Sequence, residues 1–124
     1  VCTVARINTI TPLQTLVTLN DPQFVEAARV FASRVLAHPG NDTARLRWAF
    51  AETLSRPPQE KELAILSAGL QRDRARYAQD VAASQALVRV GEAPVAPQLA
   101  ASEHAAWTQL ALRLFNLSET VTRN

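Results

Sequence analysis

A single cysteine, Cys2, excludes an internal disulfide framework, a C-x-x-C redox pair and a C-x-x-C-H haem attachment within these 124 residues. Of the three glycines, none falls in G-x-G-x-x-G or in a phosphate-cradling loop, and no serine stands in G-x-S-x-G. Signatures of nucleotide binding and of α/β-hydrolase chemistry are therefore missing. No apolar run approaches the ~18 residues of a membrane span, and no charged start followed by an apolar stretch marks an export signal. Methionine is absent even at position 1, which leads us to expect a segment of a longer protein. The two histidines, His38 and His104, have no Cys, Asp or Glu at a metal-ligand spacing such as H-E-x-x-H. Neither a metal nor another cofactor is indicated in this segment.

Excess charge is scarce too. Thirteen Lys and Arg against eleven Asp and Glu leave a formal charge of +2, too little to imply nucleic acid despite a pI near 9.3. Arg72, Arg74 and Arg76 alternate along one expected helix, so Arg72 and Arg76 share a face while Arg74 points roughly opposite. That spacing suits a solvated helix better than a phosphate-binding stripe.

What the chain does hold is helical periodicity. Residues 1–10 are β-branched without a helical period and read as an extended linker, leaving 11–124 as one α-helical domain. Thr11 caps a short helix from Pro12 to about Leu19, and Asn20-Asp21 caps a second from Pro22 to about Ala37. In each, a capping oxygen precedes a proline suited to the first helical position. The second helix should bury Phe24, Val25, Ala28, Phe31, Ala32, Val35 and Leu36, with Gln23, Glu26, Arg29 and Arg34 in water. After His38-Pro39-Gly40, Asp42 caps a helix over Thr43–Leu54 with a stripe of Leu46, Ala49 and Phe50. Trp48 lies off that stripe and suggests a contact on a second side.

A long helix follows the Pro57-Pro58 break, from Glu60 to about Ala78, with Leu63, Leu66, Leu70 and Tyr77 inward and Gly69 fitting a close helix crossing. Asp80 caps a fifth helix over Val81–Val90, buried through Ala83, Ala86, Leu87 and Val90. Gly91 ends it, and the proline-bearing stretch 92–98 is extended. Ser102 then caps a sixth helix whose Trp107, Leu110, Ala111 and Leu114 make it central to the core. The expected fold is an all-α, compact bundle of five to six helices with an extended N-terminal segment.

The polar residues mostly read as caps or solvated positions. Glu60 and Glu62 suit the positive end of a helix, His38 a helix C-terminus, and His104 a half-buried core position. Two glycosylation sequons, Asn41-Asp42-Thr43 and Asn116-Leu117-Ser118, carry no weight on their own. Asn8, Gln14 and Asn116 remain as interaction candidates, with no catalytic, cofactor-binding or metal-binding residue beside them.

The order Thr11-Pro12-Leu13-Gln14-Thr15-Leu16, then Leu19-Asn20-Asp21-Pro22-Gln23-Phe24, resembles the planctomycete-specific C-terminal domain of unknown function. Arg47-Trp48-Ala49-Phe50, Ser55-Arg56-Pro57-Pro58, Val90-Gly91-Glu92, and Ala106-Trp107 through Asn116-Leu117-Ser118-Glu119 continue the likeness over nearly the whole chain. Ile10, Gln59 and Ala100-Ala101 depart from the family pattern. The resemblance implies a larger exported protein of planctomycetes, verrucomicrobia and relatives, located in the periplasm or cell envelope. It further implies a cytochrome c-like domain upstream, so that any haem c belongs to the missing region. It implies no activity and no catalytic residues.

The expected role is a C-terminal structural or interaction module whose partners are the upstream domains of the same protein, with no ligand class indicated. Two alternatives stand beside it. One is a subdomain that completes an enzyme site with upstream residues, recognisable if Asn8, Gln14 and Asn116 share a cleft. The other is a basic helical nucleic-acid binder.

Overall fold

The computed structural model describes residues 21–123, with side-chain surroundings up to Glu119. The extended segment expected over 1–10, the helix expected over Pro12–Leu19, and Asn8 and Gln14 lie outside the described residues. Within them the chain forms five helices and no strand: α1 (Pro22–Ala37), α2 (Asp42–Leu54), α3 (Glu60–Gln79), α4 (Val81–Leu87) and α5 (Ala101–Arg123). This is the all-α bundle that the periodicity predicts. No helix among the described residues is long and apolar enough to cross a membrane.

Each start has a chemical cause. Asp21 accepts the Gln23 N–H at 2.7 Å ahead of Pro22, and Asp80 accepts the Ala83 N–H at 3.1 Å. At α2 the cap is Asn41, which accepts the Ala44 N–H at 3.0 Å, and the expected cap Asp42 sits in the first turn. There its carboxylate is free to bind elsewhere. At α3 the Glu62 carboxylate accepts the Gln59 N–H at 2.8 Å, so the departure at Gln59 is covered by the residue three places on.

Two boundaries differ from the sequence reading. The helix expected to start after Ser102 begins at Ala101, because the Ala100 carbonyl already accepts the His104 N–H at 2.9 Å. The polar stretch after Asn116 stays helical to Arg123. The helix expected over Val81–Val90 ends at Leu87, where the Arg89 and Val90 amides turn back to Ala86 and Leu87 and Gly91 takes φ +89°. With only two turns, its buried face consists of Ser84 and Val88 with Ala83 and Leu87 half-buried, and Ala86 is exposed.

The core forms around α5, which packs against all four other helices. Trp107, Leu110, Ala111 and Leu114 are buried on it, facing Phe31 and Val35 of α1, Leu46 and Phe50 of α2, and Leu63, Leu66, Leu70 and Tyr77 of α3. Each large apolar side chain removed from water contributes about 1.5–3 kcal/mol. The 92–98 stretch carries the chain across the bundle between α4 and α5.

Candidate functional site

Arg29, expected in water, is 1% exposed. Its Nε donates to the Val90 carbonyl at 2.7 Å and its Nη1 to the Pro94 carbonyl at 3.3 Å, while Nη2 donates to the Ala93 carbonyl. Glu26, one turn earlier, accepts the Glu92 N–H at 2.9 Å and the Ala93 N–H at 2.6 Å. A cation thus serves the carbonyls and an anion the amides of the same crossing segment. At Gly91 a Cβ would lie 2.5 Å from the Glu26 carboxyl, and the positive φ already favours glycine. The Arg29 carbonyl receives the Nε2–H of His104, at 2.7 Å, and burial pushes that histidine's pKa below its ordinary value.

Arg74 was expected to face solvent opposite Arg72. Instead its guanidinium joins three helices, meeting Asp42 at 2.6 and 3.0 Å and Glu103 at 3.0 Å and closer. Glu103 also accepts the Trp107 Nε1–H at 3.0 Å. Both carboxylates lie in helix first turns, where the N-terminal dipole favours negative charge. Hydrogen bonding to Arg74 holds Asp42 below the usual carboxylate range and drives the Arg74 pKa up. Asp42 is thus kept ionised, and the raised acid pKa of a general-acid pair is not what this geometry produces.

The third polar cluster lies along the α3/α5 seam. Gln109 donates to the Tyr77 hydroxyl at 2.9 Å, and Arg113 Nη2 donates to Asp73, 6% exposed, at 2.6 Å. Gly69 lets Arg113 lie against α3, since a Cβ there would stand 3.1 Å from its Nη1. Asn116 is half-buried and lines a depression of about 270 Å³ with Gln109, Leu112 and Arg113. It is the one interaction candidate among the described residues.

One accessible feature among the described residues is apolar. An open groove of about 470 Å³ runs beside α1, lined by Gln23, Glu26, Ala27, Val30, Phe31, Arg34 and Phe115. A smaller depression at Asp21, Gln23, Phe24 and Ala27 continues it to the start of α1. Behind the groove stands a chain of rings. Phe24 meets Phe115 edge-on at 5.5 Å, Phe115 meets Phe31 at 5.6 Å, and Phe31 stacks on Trp48 at 6.0 Å, which stacks on His38 at 5.1 Å. The Arg34 guanidinium lies 5.8 Å from both the Phe31 and the Trp48 ring. Trp48 therefore does make the second-side contact that its position predicted. The groove itself went unpredicted, although Val30, 40% exposed on the otherwise polar side of α1, was a visible signal.

Comparison with protein families matches residues 1–70 to PSD1, a protein of unknown function (DUF1553). The chain belongs to this family. Neither the comparison with curated proteins nor that with solved structures gives a match.

The DUF1553 match takes in α1, α2 and the first half of α3, with Glu26, Arg29, Phe31, Asp42 and Trp48. Their partners Val90, Ala93, Pro94, Glu103 and Phe115 lie beyond residue 70. The matched stretch is thus completed by α5 and the crossing segment before it. Among the described residues, no group of three or more His, Cys, Asp or Glu could hold a metal ion.

Proposed function

We propose that this DUF1553 chain is an interaction module of a larger protein, acting through the groove along α1, and not a catalyst by itself. The carrying observation is the contrast between an open apolar groove backed by five rings and polar clusters engaged with one another inside the bundle. Unpartnered apolar surface of this size favours a docked partner.

The occupant is the polypeptide that precedes Asp21 in the same protein. The depression that adjoins the groove reaches Asp21, and a segment joined to that residue needs little loop-closure entropy to enter. Residues 11–124 as one domain, export to the periplasm or cell envelope, and an upstream haem c domain complete the proposal and rest on the family likeness described above.

A crosslinking experiment tests it. Val30→Cys in a Cys2→Ser background, labelled with a photoreactive maleimide in the intact parent protein, should crosslink to peptides N-terminal of Asp21 in the same chain. Crosslinks to a second copy, or none, would refute the assignment. Asn116 lines a depression separate from the groove, and its expected companions Asn8 and Gln14 lie outside the described residues.

A further inference from the structure

Two guanidinium groups converge on the α3/α5 seam. Asp73 is hydrogen-bonded there to Arg113 through Nη2, while Arg113 Nη1 is buried and has no hydrogen-bond acceptor among the described residues. Arg72, three residues past Gly69 on α3, reaches the same spot. A Cβ built on Gly69 would lie 3.1 Å from Arg113 Nη1 and 3.6 Å from Arg72 Nη2. Among the described residues Arg72 forms no ion pair, and its side chain is exposed. Two like charges brought this close, with a single hydrogen-bonded carboxylate, leave a local positive excess. That excess borders the depression of about 270 Å³ lined by Gln109, Leu112, Arg113 and Asn116.

We propose that this seam binds a small oxyanion, the carboxylate or phosphate group of a ligand, between Arg72 and Arg113. A planar guanidinium presents paired N–H donors that match two oxygens of either group. An entering anion offers the acceptor that Arg113 Nη1 lacks and offsets the repulsion between the two cations. Glycine at position 69 lets the Arg113 guanidinium lie against α3 beside Arg72, and the apolar edge at Leu112 with the Gln109 amide shapes one wall.

The test is a titration of the full chain followed by the NMR signals of the arginine side-chain Nε–H groups. Inorganic phosphate and acetate are added separately, each against sodium chloride at equal ionic strength. Saturable shifts of Arg72 and Arg113 with either anion, absent with chloride, are expected. The anion that saturates at the lower concentration identifies the group. Arg72→Ala removes an exposed side chain and should weaken the response about tenfold without lowering the melting temperature measured in the absence of anion. Gly69→Ala should weaken it as well by crowding Arg113. The proposal is overturned if no saturable shift occurs up to about 50 mM anion, if chloride acts equally, or if Arg72→Ala binds as the parent does.

Discussion

Arg29 shows why polarity alone misplaces a side chain. It sits next to Ala28 at the edge of the α1 apolar stripe, and the helical period gives no reason to bury it. The reason lies 61 residues away, at the Val90 carbonyl. A buried guanidinium is tolerated only when its donors are used, and here three backbone carbonyls use them. Arg29→Met keeps most of the volume and removes every donor, which strands those carbonyls and should cost about 2–4 kcal/mol in urea unfolding. Arg29→Lys should recover only a minor part, since one ammonium cannot serve three acceptors spread along an extended segment. A substitution to Met with unchanged stability would show that the crossing segment is held by other means. Arg74 was misread for the same reason as Arg29: its partners Asp42 and Glu103 stand on other helices.

Helix existence was legible because it depends on local period and caps, and the apolar stripes on α1, α2, α3 and α5 lie where the spacing puts them. Helix ends were less so. The C-terminal end of α4 is followed directly by a segment tied to Glu26 and Arg29, which no local pattern encodes, and α5 starts early because the Ala100 carbonyl already accepts the His104 N–H. The break between α2 and α3 offers a direct test at this scale. Ser55 closes α2 in the left-handed region, φ 60°, where a Cβ is unfavourable and glycine is the common solution. Ser55 is exposed, so Ser55→Gly should raise stability by roughly 0.5–1 kcal/mol, seen as a higher urea midpoint with unchanged slope. Arg74→Ala should act on three elements at once, freeing the first turns of α2 and α5 from α3. The groups are partly solvated, so a loss of about 1–2 kcal/mol is expected in the same assay.

Taken whole, the described residues form a shell of four helices closed on one central helix, and stability should fall in two stages as acid is added. His104 donates Nε2–H to the Arg29 carbonyl from a site 2% exposed, and burial holds its pKa below the ordinary value near 6.5. The unfolded chain therefore binds a proton before the folded one does. Stability from this group is complete above about pH 6.5 and declines as pH drops toward the folded value. The carboxylates act lower. Asp42, hydrogen-bonded to Arg74, and Glu62, hydrogen-bonded to Arg56 and lowered to about 2, contribute above their ordinary values. That contribution is lost as pH drops below roughly 4.5. Melting temperature measured from pH 8 to pH 3 should accordingly show an upper decline that His104→Gln flattens and a lower one that it leaves intact. Because His104 on α5 meets the backbone of α1, the upper decline reports the docking of the central helix against the helix that carries the groove. A variant that retained the upper decline would assign it to a different group and free that interface from control by His104.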